Sequence, residues 1–137
     1  MKLFNSTLIA IGLISLSVIS AQSQNIRSSN LTWEADEVTD LEVRDSVRYT
    51  CQFRTDGSSM EWIQKNGELK TVYQIVGVEG NWTDVSKNGT MTFSLERKER
   101  LCKMVLERTT SGVFVTLDFS GPGEYTSVKK FHIKSVQ

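Results

Sequence analysis

Histidine, proline and cysteine are scarce in this chain of 137 residues, which holds one His, one Pro and two Cys. One imidazole and two thiols fall short of the four-ligand sets that hold structural zinc. A lone proline, Pro122, and the lack of any Gly/Ser-rich stretch leave no linker to divide the chain. Beyond about the first 20 residues the chain is therefore one domain, of a common size for one hydrophobic core. Charge of one sign is also missing: 16 basic residues face 16 acidic ones. Nucleic acid and anionic membrane surfaces, which recruit basic patches, find no footing here. No internal repeat and no second long apolar run occurs.

The one long apolar run lies at the start. Lys2 is followed by an uncharged stretch, 3–19, whose centre is Leu8-Ile9-Ala10-Ile11-Gly12-Leu13-Ile14. Its strongly apolar part covers only about 12 residues, against the ~20 of a spanning helix. Ala21 or Ser23 supplies the small side chain needed before a cleavage point, and Gln22-Ser23-Gln24-Asn25 is polar. The reading is a cleaved signal peptide over 1–22, a flexible polar lead over 23–30 and a single domain over 31–137. Losing Lys2 alone leaves 15 basic and 16 acidic residues, a net charge of −1. The expected location is secreted or periplasmic, with no membrane span after cleavage.

The domain reads as strands. Leu41, Val43, Val47, Tyr49, Cys51 and Phe53 share one phase of a period-2 pattern, with Glu42, Arg44, Arg48, Gln52 and Arg54 in the other. Successive strand side chains face opposite sides, so one side is dry and one wet. Further runs lie at 59–65, 68–78, 90–96, 101–108, 113–119 and 125–136, with a possible edge strand at 31–34. Ala35-Asp36-Glu37-Val38 suits a helical turn capping one end. Asn66-Gly67 is a tight hairpin signal. Short connections between neighbours predict an antiparallel meander of about seven to eight strands closing as a small barrel, with a β-sandwich as the alternative.

Candidate sites are few. Asp84-Val85-Ser86-Lys87-Asn88-Gly89 places oxygen side chains at Asp84, Ser86 and Asn88 and resembles the first half of an EF-hand loop. The resemblance implies a calcium site, but Leu95 stands where the bidentate Glu belongs, so a plain polar loop is the competing reading. Gly80-Asn81-Trp82 resembles the Gly-x-Trp form of lipocalins, here placed mid-chain; otherwise it is a loop Trp packed over a barrel end. His132 is expected on the outer face with Lys130 and Lys134. Asp118 lies on a neighbouring strand, and no serine elbow accompanies the pair. Glu61, Asp84 and Asp118 offer no pairing that spacing can fix. Asn30, Asn81 and Asn88 open glycosylation sequons, relevant only in a eukaryotic source.

Cys51 and Cys102 fall on apolar phases, and an oxidising compartment favours a disulfide between them over two buried thiols. Trp62, Tyr73, Phe93 and Met104, with Met91, Phe119 and Phe131, line a ligand cavity or fill a core. No cofactor is implied. The expected function is non-enzymatic binding by an exported, lipocalin-like barrel holding a small apolar or amphipathic ligand. The alternative is a filled-core module that meets an envelope or extracellular protein. A hydrolase ranks last, for want of a base–nucleophile pair.

Overall fold

The computed structural model describes residues 26–119 and 127–137. The expected signal peptide, and the start of the run predicted at 125–136, lie outside the described residues. Eight strands run in order: β1 Leu31–Asp40, β2 Asp45–Thr55, β3 Ser59–Gln64, β4 Leu69–Gly80, β5 Gly89–Arg97, β6 Arg100–Thr109, β7 Gly112–Asp118 and β8 Val128–Val136. Each pairs antiparallel with the next, and β8 pairs with β1, so the sheet closes into a barrel. Closure leaves no sheet edge along most of its height. The architecture is that of a small lipocalin-like barrel, not a sandwich.

Alternation sets the barrel wall. Met91, Phe93 and Leu95 on β5, Cys102, Met104 and Leu106 on β6, and Val113, Val115 and Leu117 on β7 all point inward and are buried. Phe93 and Met104 sit opposite each other across the β5–β6 ladder. Trp33, Phe53, Met60 and Phe131, none more than 1% exposed, complete the buried interior.

The segment with the mixed sequence signal is the strand that closes the barrel. Residues 31–40 form β1, paired on both sides, where an edge strand at 31–34 and a helical turn at 35–38 were expected. Leu31, Trp33 and Ala35 alternate inward, and then the register shifts around Asp36 in both ladders. That bulge breaks the period-2 pattern and lets acidic Asp36 and Glu37 follow one another inside a strand. The next residues also depart from the pattern. Leu41 and Val43 belong to the β1–β2 turn and Val47 to the exposed end of β2, so none of the three is in the core.

Connections alternate between two ends of the barrel. The β2–β3, β4–β5 and β6–β7 connections and both termini of the described domain share one end, here termed the closed end. The β1–β2, β3–β4, β5–β6 and β7–β8 connections share the other, the hairpin end. Within the stretch expected to be a flexible lead, Ile26 is fully buried in the core. The Arg27 carbonyl lies against Gly57 of the β2–β3 turn, where a Cβ would come within 2.7 Å of it. At the C terminus, Gln137 and Thr32 exchange two backbone hydrogen bonds.

Candidate functional site

The closed end is plugged. Trp82, in the β4–β5 connection, is buried and packs at 5.8 Å from Trp33, ring centre to ring centre. Its Nε1–H donates to the carbonyl oxygens of Asp84 (2.7 Å) and Lys87 (2.8 Å), which folds the loop around the indole. Gly89 is required beside it, because a Cβ there would stand 2.2 Å from Trp82 Cδ1. Beneath it, Trp33 Nε1–H donates to the buried Thr55 hydroxyl at 3.1 Å. The Gly-x-Trp segment thus packs over a barrel end.

That packing also occupies the loop read as a calcium candidate. The Asp84 carboxylate accepts from the Ser86 hydroxyl at 2.6 Å and the Ser86 amide at 2.9 Å. These bonds hold its pKa below the usual carboxylate range. No group of three or more His, Cys, Asp or Glu side chains suited to a metal gathers among the described residues. Asn30, Asn81 and Asn88, which open the three sequons, are exposed and lie together at this end.

The cysteines occupy opposite walls. Cys51 on β2 and Cys102 on β6 are both buried free thiols, with no bridge between them. The expected disulfide is absent because the inward phase that buries both residues also places them four strands apart in a ring of eight. Burial pushes the Cys51 thiol up to about 11, with the Trp62 indole N–H pulling it back. Burial, and then the charge of Asp118, push Cys102 up to about 11 as well. Thiols held this high are poor nucleophiles.

Of the four residues singled out for ligand contact, the structure separates two from two. Phe93 and Met104 are core filling with no exposure. Trp62 and Tyr73 are half-buried at the hairpin end, with Tyr49, Val38 and Phe119. Trp62 stacks on Phe53 at 5.9 Å and meets Phe131 edge-on at 5.8 Å, so it forms a lid on the core. The Tyr49 hydroxyl donates to Gln64 Oε1 across the gap between β2 and β3. Burial raises the pKa of both Tyr49 and Tyr73. The Trp62 Nε1–H is shielded from solvent and has no hydrogen-bond partner of ordinary geometry among the described residues.

Above this aromatic layer the hairpin end is apolar and wet. Leu41, Val43, Val47, Leu69 and Leu101 are all exposed, Val43 at 71% and Leu101 at 66%. Leu41, Val43 and Val47 were missed as site residues because an apolar residue in phase with a strand reads as core. Two concavities open on the outer wall. One of about 400 Å³ is lined by Thr50, Cys51, Gln52, Ile63, Asn66 and Gly67, among others. The other, of about 370 Å³, lies lower, between Asn30, Arg54, Asp56 and Glu61. Neither is lined by the aromatic side chains of the interior.

No family model, curated protein or solved structure matches the chain.

His132 stands on the outer wall, as expected, but its partner is Asp36 rather than Asp118. Nδ1 lies 2.7 Å from Asp36 Oδ1, and Phe114 packs edge-on to the ring at 5.7 Å. The β1 bulge is what swings Asp36 to this position, which spacing along the chain gives no means to foresee. No nucleophile is hydrogen-bonded to Nε2 among the described residues. Around the pair, Glu34 accepts from Ser135 at 3.1 Å, and Lys130 sits 4.4 Å over the Phe114 ring. This wall is a self-contained polar lattice.

Proposed function

We propose that this protein is an exported, non-enzymatic binding module that meets a protein partner through the hairpin end of a filled barrel. The carrying observation is the contrast between an interior with no solvent-exposed side chain and a hairpin end with five exposed large aliphatic residues. Clustered apolar exposure on a water-facing surface marks contact with another molecule. The leader read over 1–22 supports a secreted or periplasmic location.

The test is site-specific photocrosslinking in the source cells. A benzoylphenylalanine placed at Val43, on the hairpin end, is expected to yield one discrete protein adduct. The same group at Thr110, exposed at the closed end, is expected to yield none. Equal labelling from both ends, or none from either, removes the reading.

A small amphipathic ligand is the second reading, favoured by the shielded Trp62 N–H beneath the apolar rim, which faces the Cys51 thiol, a weak acceptor. Titration with dodecanoate separates the two. Saturable one-to-one quenching of tryptophan emission, lost in Trp62→Leu, supports a ligand seat; an unaltered spectrum supports the protein partner.

A further inference from the structure

The barrel wall opens between β2 and β3. β2 pairs with β1 from Asp45 onward, but it pairs with β3 only over 52–55. Residues 45–51 therefore have β1 on one side and no strand on the other among the described residues. The cause is local. After Gln64 the chain takes positive φ at Lys65 (51°), Asn66 (55°) and Gly67 (94°), turns, and returns as β4. β3 is thus only six residues long, while β2 continues beyond it. In an antiparallel ladder, alternate residues present both N–H and C=O to one side, so this edge offers unpaired donors and acceptors. The concavity of about 400 Å³ opens where the two strands part, and the Tyr49–Gln64 side-chain bond bridges them there.

From this edge we infer that the partner docks by strand addition: an extended peptide segment pairs with β2 over 45–51, with acidic and aliphatic side chains alternating. This deepens the protein-binding reading above and rests on it. The alternation follows from the walls of the gap. Inward, an added strand would lie beside Val47, Tyr49 and Leu69, which are apolar or aromatic. Outward, it would lie beside Ser46, Arg48 and Thr50, since Arg54 lies past the gap, opposite Glu61 of β3. Arg48 is exposed and forms no ion pair among the described residues, and Lys65 is exposed at the rim. Of the opposing charges, Glu61 is already bridged to Lys70 at 3.2 Å, and Glu37 faces Arg48 across the β1–β2 ladder. On the outward phase of the edge Arg48 is the one charged residue, with Lys65 at the rim, whereas Asp45 falls on the inward phase, which fits a segment with carboxylates on its outer face. Backbone pairing would supply affinity and the alternate side chains selectivity. β4 offers a shorter edge over 69–73, before its pairing with β5 begins at Gln74. The longer edge on β2, with its concavity and its exposed Arg48, is the better seat.

The experiment uses the purified protein and three synthetic heptapeptides. The first alternates valine and glutamate, the second valine and lysine, and the third is the first with every second amide N-methylated on its pairing edge. The glutamate peptide is expected to bind about tenfold or more tighter than the lysine peptide, and to weaken as salt rises. It should slow hydrogen exchange at amides within 45–51, Arg48→Glu should reverse the order of the two peptides, and the N-methylated peptide should lose binding. Equal binding of both charge types, or binding without protection at 45–51, overturns strand addition at this edge. So does protection of the same amides by self-association, which would make a second copy the occupant. If the peptides fail while Val43 still crosslinks to one partner, strand addition alone falls. If Val43 also fails, the protein-binding reading falls with it.

Discussion

At the closed end of the barrel, Trp82 and Ile26 are buried and the Trp82 indole N–H has two carbonyl acceptors; at the hairpin end, Leu101 and Val43 stand in water above an indole set against a thiol, a weak acceptor. Both ends hold large apolar side chains on short connections. What differs is whether the backbone folds over them. The β4–β5 connection turns its carbonyls onto Trp82, and glycines at 57 and 89 allow close approach at that end. The hairpin tips extend past the core and cover nothing. One end of this barrel is covered by its own connections, and the other leaves apolar surface exposed.

The sharpest break of that comparison is at the plug. Trp82→Ala is expected to cost about 3–5 kcal/mol, the usual range for emptying a buried aromatic site. Gly89→Ala should also destabilise strongly, because its methyl would occupy the space of the indole. Urea unfolding checks both. A loss below about 1 kcal/mol in both, the ordinary effect of a point substitution, would show that the closed end does not hold the barrel together.

Next in size is an alkaline effect seated in the walls between the ends. Cys51 and Cys102 have thiol pKa values of about 11, above the ordinary value of 9. Raised in the folded state, they keep their protons where the unfolded chain releases them. The stability tied to them is therefore complete below pH 9 and falls as pH rises from 9 towards 11. Allowing for solvent screening, the loss is about 1–2 kcal/mol per thiol at the top of that range, and roughly twice that for both. A double Cys51→Ala, Cys102→Ala variant should show a flatter decline over the same window. Native protein at neutral pH should react with a thiol reagent far more slowly than unfolded protein, with two thiols appearing on unfolding. Immediate reaction of either thiol would place it outside the core.

A smaller effect belongs to the layer under the plug. Thr55→Val keeps shape but leaves the Trp33 Nε1–H without its acceptor. An orphaned buried donor costs about 1–3 kcal/mol. Trp33→Phe in the same background should recover part of what Thr55→Val loses, since no donor then remains to satisfy; a double-mutant cycle measures the coupling.

How far the sequence spoke for each end follows from the same contrast. β5, β6 and β7 obey period-2 alternation from end to end, and their boundaries and inward residues were legible. The single-barrel architecture followed from them and from the short turns. β1 was not legible, because the bulge at Asp36 changes the phase in mid-strand and places two acids in succession. Ile26 was hidden in a polar lead, since one apolar residue carries no period. At the hairpin end the pattern misled: Leu41, Val43 and Val47 keep the core phase but extend beyond the core. Trp62 and Phe93 are alike in sequence, and only the height at which each strand meets the barrel separates a lid from a filling. Local rules hold where alternation is unbroken and fail where a bulge shifts the phase, where one apolar residue stands alone, or where a strand runs beyond the core.

The hairpin end is where the smallest change in stability is expected. Leu101→Ser and Val43→Ser remove the two most exposed aliphatic side chains of the rim. Because neither is covered, each should alter the unfolding free energy by no more than about 0.5 kcal/mol. Urea midpoints should coincide with the parent, with unchanged slopes. Partner capture from Val47, crosslinked in the double-serine background, should nevertheless fall severalfold, and binding of an apolar dye should fall with it. A large stability loss would mean that the rim is part of the core after all. An unchanged crosslink would leave the exposed apolar end without a role in docking, and shift the contact to the backbone edge of β2 alone.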